Sequence, residues 1–185
     1  MSRQFWQESL AWSTANGTTI SNSTAEAIIF PNVTIPANYM QDGRTLELIA
    51  RGSFSNVVTT PGTLIFRLRW GGLAGTILAQ TSAISLSATA QTDIMFAVIL
   101  EVITRINGSA GSLMAMGHTM LAAQLAASNN QQNMMGSAGG ASTNTPAAVT
   151  VDLTADTALA FTAQFSVATS PTNLTGRNYL LKSAN

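Results

Sequence analysis

Residues 63–70 read Thr63-Leu64-Ile65-Phe66-Arg67-Leu68-Arg69-Trp70. Leu64, Phe66, Leu68 and Trp70 alternate with Ile65, Arg67 and Arg69, so a large apolar side chain falls at every second position. Successive side chains of an extended strand leave on opposite faces, whereas a helix would scatter this set round its circumference. The stretch reads as a half-buried β-strand with its two arginines on the outer face. Gly71, Gly72 and Gly75 follow at once and turn the chain into a second short strand, Thr76 to Gln80.

The same two-residue period extends outward from there. Upstream, Thr45 to Arg51 places Leu46, Leu48 and Ala50 on one face and Glu47 and Arg51 on the other, and Ala27 to Phe30 is a shorter strand closed by Pro31. Gly52 to Gly62, with Asn56 and Pro61, reads as a loop. Downstream, Asp93 to Ile106 is a long strand that is apolar on both faces through Met95, Phe96, Val98, Ile99 and Leu100. Such a strand is covered on both sides or lies at a subunit contact. Asn107-Gly108 is a turn signal, and Gly111 to Gln124 pairs with the preceding strand as a hairpin. For Leu113 to Ala127 the Ala, Leu, Met and Gln content leaves a helix open as the alternative. Residues 128–146 are a low-complexity polar loop; Ala147 to Leu153, Thr157 to Val167 and Asn178 to Lys182 are further strands. About eight or nine strands with no βαβ alternation define an all-β chain, most naturally a two-sheet antiparallel jelly-roll sandwich. Residues 1–25, polar but carrying Phe5, Trp6 and Trp12, form an extended N-terminal arm, and residues 26–185 form the jelly-roll domain.

Composition narrows the function. Hydrophobic residues are 46% of the chain and charged residues only 9%, where about a quarter is usual. Eight basic and eight acidic residues cancel to zero net charge. A lone domain ordinarily keeps more charge to stay dispersed, so much of this surface is expected to be covered by copies of itself or by a larger assembly. A surface solvated by Ser, Thr, Asn and Gln is the alternative. There is no cysteine, so disulfides and thiolate metal sites are excluded. Lys182 is the single lysine, and no basic stripe exists for nucleic acid. The apolar run Ile94 to Leu100 is far short of the ~20 residues of a membrane span. The start lacks a signal peptide's apolar run, so synthesis is expected inside the cell, and the five N-x-S/T sequons reflect Asn- and Thr-rich composition.

Chemistry-bearing patterns are absent. His118 is the one histidine, set between glycine and threonine among methionines, and it reads as a packed or interface residue. The acids Glu47, Asp93, Glu101 and Asp152 have ion pairing as an easier role than paired-carboxylate catalysis. No two ligands sit at a metal-binding spacing, and GGLAG and GSAGG lack the Lys-Ser/Thr of a phosphate loop. The expectation is a protein with no enzymatic activity, no metal and no cofactor. The residues singled out instead are protein-interface candidates. Phe5, Trp6 and Trp12 need burial on the parent domain or on a neighbour. Arg67, Arg69, Glu101 and Arg105 are charges within strands, suited to cross-strand pairs or to setting register between subunits. Met95, Met114, Met116 and Met120 read as adaptable core filler, while Met134 and Met135, in the polar loop, read as anchors for a partner.

The stretches TLELIARGSFSNVVTTPGTLIFRLRWGG (45–72), QTDIMFAVILEVITRINGSAGSLMAMG (91–117) and AVTVDLTADTALAFTAQFSVATSPTN (148–173) resemble virion structural proteins of tailed bacteriophages. Among these the chain is similar to the jelly-roll decoration, or cement, proteins of the head, in style and strand layout over residues 45–173. The resemblance implies a homo-oligomer, a trimer, that binds the major capsid protein on the outside of the capsid, in a virion assembled in the host cytoplasm. The composition sets the further expectation of no nucleic-acid and no membrane partner. A tail-fibre or baseplate receptor-binding module and a small single jelly-roll coat protein stay open, as does a lectin-like domain, for which Trp70 alone supplies no sugar platform.

Overall fold

A computed structural model describes residues 6–57, 59–122, 132–140 and 143–184, with the backbone alone for 138–140 and 143–145. The strands are β1 (Gln7–Trp12), β2 (Thr19–Ser21), β3 (Ala27–Ile28), β4 (Val33–Ile35), β5 (Thr45–Asn56), β6 (Thr63–Trp70), β7 (Thr76–Thr81) and β8 (Ile84–Ser85). They continue as β9 (Gln91–Ile106), β10 (Gly111–Leu121), β11 (Gln132–Gly136), β12 (Ala138–Gly140), β13 (Thr143–Thr145), β14 (Ala148–Val151), β15 (Thr157–Phe165) and β16 (Asn173–Ala184). Every pairing is antiparallel and, among the described residues, there is no helix.

The strands make an all-β sandwich of jelly-roll type. One layer runs β1-β16-β5-β9-β10 and the other β7-β6-β15, with β3 and β4 on β15. Two connections, β5 to β6 and β7 to β9, cross between the layers, while β6–β7 and β9–β10 are hairpins within them. β11 bonds to both β10 and β7, so the two layers join into one hydrogen-bonded path. That junction removes an edge where an unpaired strand would invite uncontrolled pairing.

The core lies between the layers and follows the two-residue period. β6 spans Thr63–Trp70 as its alternation requires, with Leu64, Phe66, Leu68 and Trp70 inward. Phe66 meets Phe96 of β9 at 4.9 Å between ring centroids and Phe161 of β15 at 5.8 Å. Leu46, Leu48 and Phe54 of β5, Val98 and Leu100 of β9, and Leu113 and Ala115 of β10 complete the packing.

Local differences from the sequence reading have local causes. β5 does not stop at Arg51 but continues to Asn56. Gly52 sits inside it because a Cβ there would lie 2.2 Å from the Thr175 carbonyl oxygen, a close approach rather than a turn. Gly108, at φ +110°, does make the turn between β9 and β10. Leu113–Leu121 is strand; the rest of that segment, 123–127, lies outside the described residues. The polar stretch read as one loop contains β11, which pairs Met134 with His118 and Met135 with Gly117. Residues 7–12 of the arm lie as a strand along β16 of the same chain.

Candidate functional site

Strand pairing brings a row of side chains into line across the outer face of the first layer. Trp12 stands opposite Leu180, Leu180 opposite Ile49, Ile49 opposite Ile99, Ile99 opposite His118 and His118 opposite Met134. Directly paired residues of neighbouring strands share a face, so this is one continuous rung over β1, β16, β5, β9, β10 and β11. Its ends are the most open, Trp12 at 64% exposed and Met134 at 66%. Leu180, Ile49, Ile99 and His118 are half-buried between their neighbours.

The flanking rungs mix charged and apolar side chains. On one side Arg51, Ala97, Met120 and Gln132 align; on the other Lys182, Glu47, Glu101 and Met116 do. Beyond these, Ile103 pairs with Met114 on the same face and Met95 stands outward on β9. Met95 and Met116 are therefore not core filler: both are on the surface, because the odd-numbered side chains of β9 and the even-numbered ones of β10 face away from the core. The charge on the face is concentrated in these two rungs. Lys182 Nζ reaches Glu47 Oε2 at 3.7 Å, while Glu101 stands against Glu47 with exposed side chain.

The candidates read from sequence divide. Phe5 lies outside the described residues. Trp6 and Trp12 are both large and exposed, Trp6 with the Arg44 guanidinium 5.6 Å from its ring centroid. Arg44 also stacks at 4.3 Å on Tyr39, whose hydroxyl donates to Glu8 Oε1, so Trp6 and Glu8 are tied to the domain of their own chain. Burial, first, and the Glu8 carboxylate both push the Tyr39 phenol up. Glu101 lies on the apolar face, and Arg105 is exposed nearer the end of the same strand. Met134 lies at the end of the rung. Met135 is a correction: it is 2% exposed and packs in the core, because adjacent residues of β11 point to opposite faces and only Met134 points out.

Arg67 and Arg69 belong to a separate cluster on the outer face of the second layer. Arg69 Nε and Nη2 donate to the Glu26 carboxylate at 2.6 and 2.7 Å, and Arg67 Nη1 donates at 2.9 Å. The Thr162 hydroxyl adds a bond at 2.5 Å, and Gln80 and Gln164 accept from Arg67. Burial works to raise the Glu26 carboxyl, but the bonds from Arg69 and Thr162 and the two guanidinium charges hold it below its ordinary value. The cluster clamps the segment before β3 onto β6 and β15. Glu26 carried no sequence signal, being 41 residues from Arg67.

Among the described residues, no group of three or more His, Asp or Glu could hold a metal ion. Ile49, Leu180 and Ile99, in the middle of the rung, are the candidate residues least visible in the sequence; the one signal is the apolar character of both faces of 93–106.

No protein-family model matches the chain, and no curated protein matches it. Among solved structures it is similar to the CBM2 module of the Lactobacillus casei BL23 phage J-1 evolved Dit. The likeness covers 83% of this chain and 68% of that one, at 13% identity and a TM-score of 0.35. Similarity at that level decides nothing about function.

Proposed function

We propose that the chain is a structural virion protein of a tailed bacteriophage: a head decoration, or cement, protein that associates with copies of itself on the outside of the major capsid lattice. The observation that carries the reading is the rung from Trp12 to Met134, an apolar sheet face that no described part of the chain covers. Monomers seldom leave such a face open, and a face of this kind marks a protein contact. In this reading the face joins copies of the protein. The arm aromatics Phe5, Trp6 and Trp12 engage the major capsid protein, and Glu101 within the face and Arg105 farther along β9 tune register. Each contact is weak, and its repetition over a symmetric shell supplies avidity without a single strong site. The protein resides on the capsid surface and works without catalysis, cofactor, nucleic acid or membrane. Heads assembled without the protein should rupture at lower temperature, and adding the purified chain back should restore them. Heads whose rupture temperature is the same with and without it would refute cementing.

A second reading, a tail-fibre or baseplate receptor-binding module, is favoured by one observation. Trp12, Thr14, Asn16, Asn32 and Tyr179 border an uncharged surface depression of about 220 Å³ beside β1. An exposed indole next to amide side chains suits a neutral, hydroxyl-rich receptor. Binding of the purified chain to host cells, lost in Trp12→Ala, would move the assignment there.

A further inference from the structure

The apolar face carries a pattern that selects its occupant. On β5, Ile49 is flanked on its own face by Glu47 and Arg51; on β10, His118 is flanked by Met116 and Met120. Same-face neighbours along a strand are about 6.7 Å apart, so acid and base stand at equal distances on either side of the rung. We propose that the occupant is a second copy of this chain, packed face to face about a two-fold axis that runs along the rung in the plane of contact. The inference rests on the assembly reading above only in taking this face as a protein contact, and it replaces the trimer that the resemblance implies with a pair.

A two-fold of that orientation lays each strand over its own copy running the other way. Ile49 and Ile99 fall on the axis. Glu47 then faces Arg51 of the second copy, Arg51 faces its Glu47, and Met116 faces its Met120. The carboxylate of Glu101, one strand over, lies next to that same Arg51, because Arg51 pairs with Ala97 in the rung it meets. The other in-plane two-fold, parallel to the strands, lays the rung of Lys182, Glu47 and Glu101 on its own copy. With its axis between β5 and β9 it sets Glu47 against Glu101 of the second copy, carboxylate against carboxylate. For a contact centred on β5 and β9, charge therefore favours the two-fold along the rung. The zero net charge of the chain adds no long-range repulsion between copies.

Six strands at about 4.8 Å spacing give the rung a width of roughly 24 Å, with the flanking rung on each side about 6.7 Å away. The footprint is smaller than the roughly 800 Å² per partner of a standard interface, so the pair is a weak one. Facing sheets pack with strands crossed by about −30°. The contact is then closest over β5 and β9 and opens towards β1, leaving Trp6 and Trp12 at the margin.

Light scattering on the purified chain tests this, with charge reversal as the discriminating step. The wild type should have twice the chain mass. Glu47→Arg and Arg51→Glu, each alone, place like charges across the axis, and each should raise the dissociation constant at least about tenfold. An equimolar mixture of the two single variants should form a heterodimer, because each repulsive pair then becomes an attractive one. Met116→Glu, at a site 48% exposed, is the second variant: it sets a carboxylate against Met120 and should also give monomers. Circular dichroism confirms that each variant is folded. A wild-type monomer or trimer, single variants that stay paired, or a mixture that stays monomeric would overturn the two-fold. None of these outcomes bears on whether the protein is found on heads, so the two proposals fail separately.

Discussion

Glu47 of β5 and Glu101 of β9 stand directly opposite one another on an exposed sheet face, like charge against like, with Lys182 at 3.7 Å from Glu47 as the nearest compensating cation. Cross-strand pairs of one sign weaken a sheet. In a chain with only eight acidic residues, placing two of them together costs the isolated fold something that a contact can return. The pair sits one rung from the middle of the apolar face, where a cation from outside can serve both carboxylates.

Glu101→Gln should therefore stabilise the dilute, unpaired chain by a few tenths of a kcal/mol. Thermal melts at neutral pH in low salt are the check, and the gain should shrink as salt rises. A loss of stability would show that Glu101 already has its compensation within the chain.

Glu26→Gln should cost on the order of 2 kcal/mol at neutral pH, since it leaves two partly buried guanidinium groups without their carboxylate. The pH dependence follows from the direction of the shift. The Glu26 carboxyl lies below its ordinary value of 4.5 in the folded chain, so its contribution is present above that value and is lost as pH falls through the lower, folded one. Chemical denaturation at pH 7 and across the acid range should show the wild-type advantage over Glu26→Gln narrowing as pH drops.

Phe66→Ala should destabilise the domain by about 3–5 kcal/mol. Phe66 is fully buried and its ring meets Phe96 of the facing layer and Phe161 of the next strand, so the vacated space opens between the two layers. Urea unfolding of the purified variant reads the loss directly.

Gly117→Ala tests the approach of β9 and β10 beneath the apolar face. A Cβ at Gly117 would lie 2.1 Å from the Ile99 carbonyl oxygen and 2.7 Å from the Leu100 Cα, both backbone atoms with no freedom to swing aside. The strands must part, at a cost on the order of 2–3 kcal/mol. Hydrogen exchange should show the protection of Leu100 and Gly117 lost ahead of that of β6.

Strands whose faces differ in polarity were legible in the sequence. Thr63–Trp70 has the bounds its alternation implies, and Asn107-Gly108 marks the turn between β9 and β10. β11 was not legible, because Gln, Asn and Gly on either side of Met134-Met135 give no period and its pairing with β10 and β7 is a tertiary event. For the same reason Met134 and Met135 look alike as letters and differ as side chains. The reach of β5 beyond Gly52 was hidden by glycine and serine, residues that in isolation mark a loop. The clamp of Glu26 on Arg67 and Arg69 and the rung from Trp12 to Met134 are made of residues far apart in the chain. Each strand shows which face is apolar, but only the register says which residues stand side by side.

Counting copies of the chain in gradient-purified particles by quantitative mass spectrometry tests the central claim most directly. The account predicts a stoichiometry that follows the capsomer lattice of the head, in heads separated from tails as well as in whole virions. Absence from the particles, or a few copies per virion that travel with the tail, would contradict it.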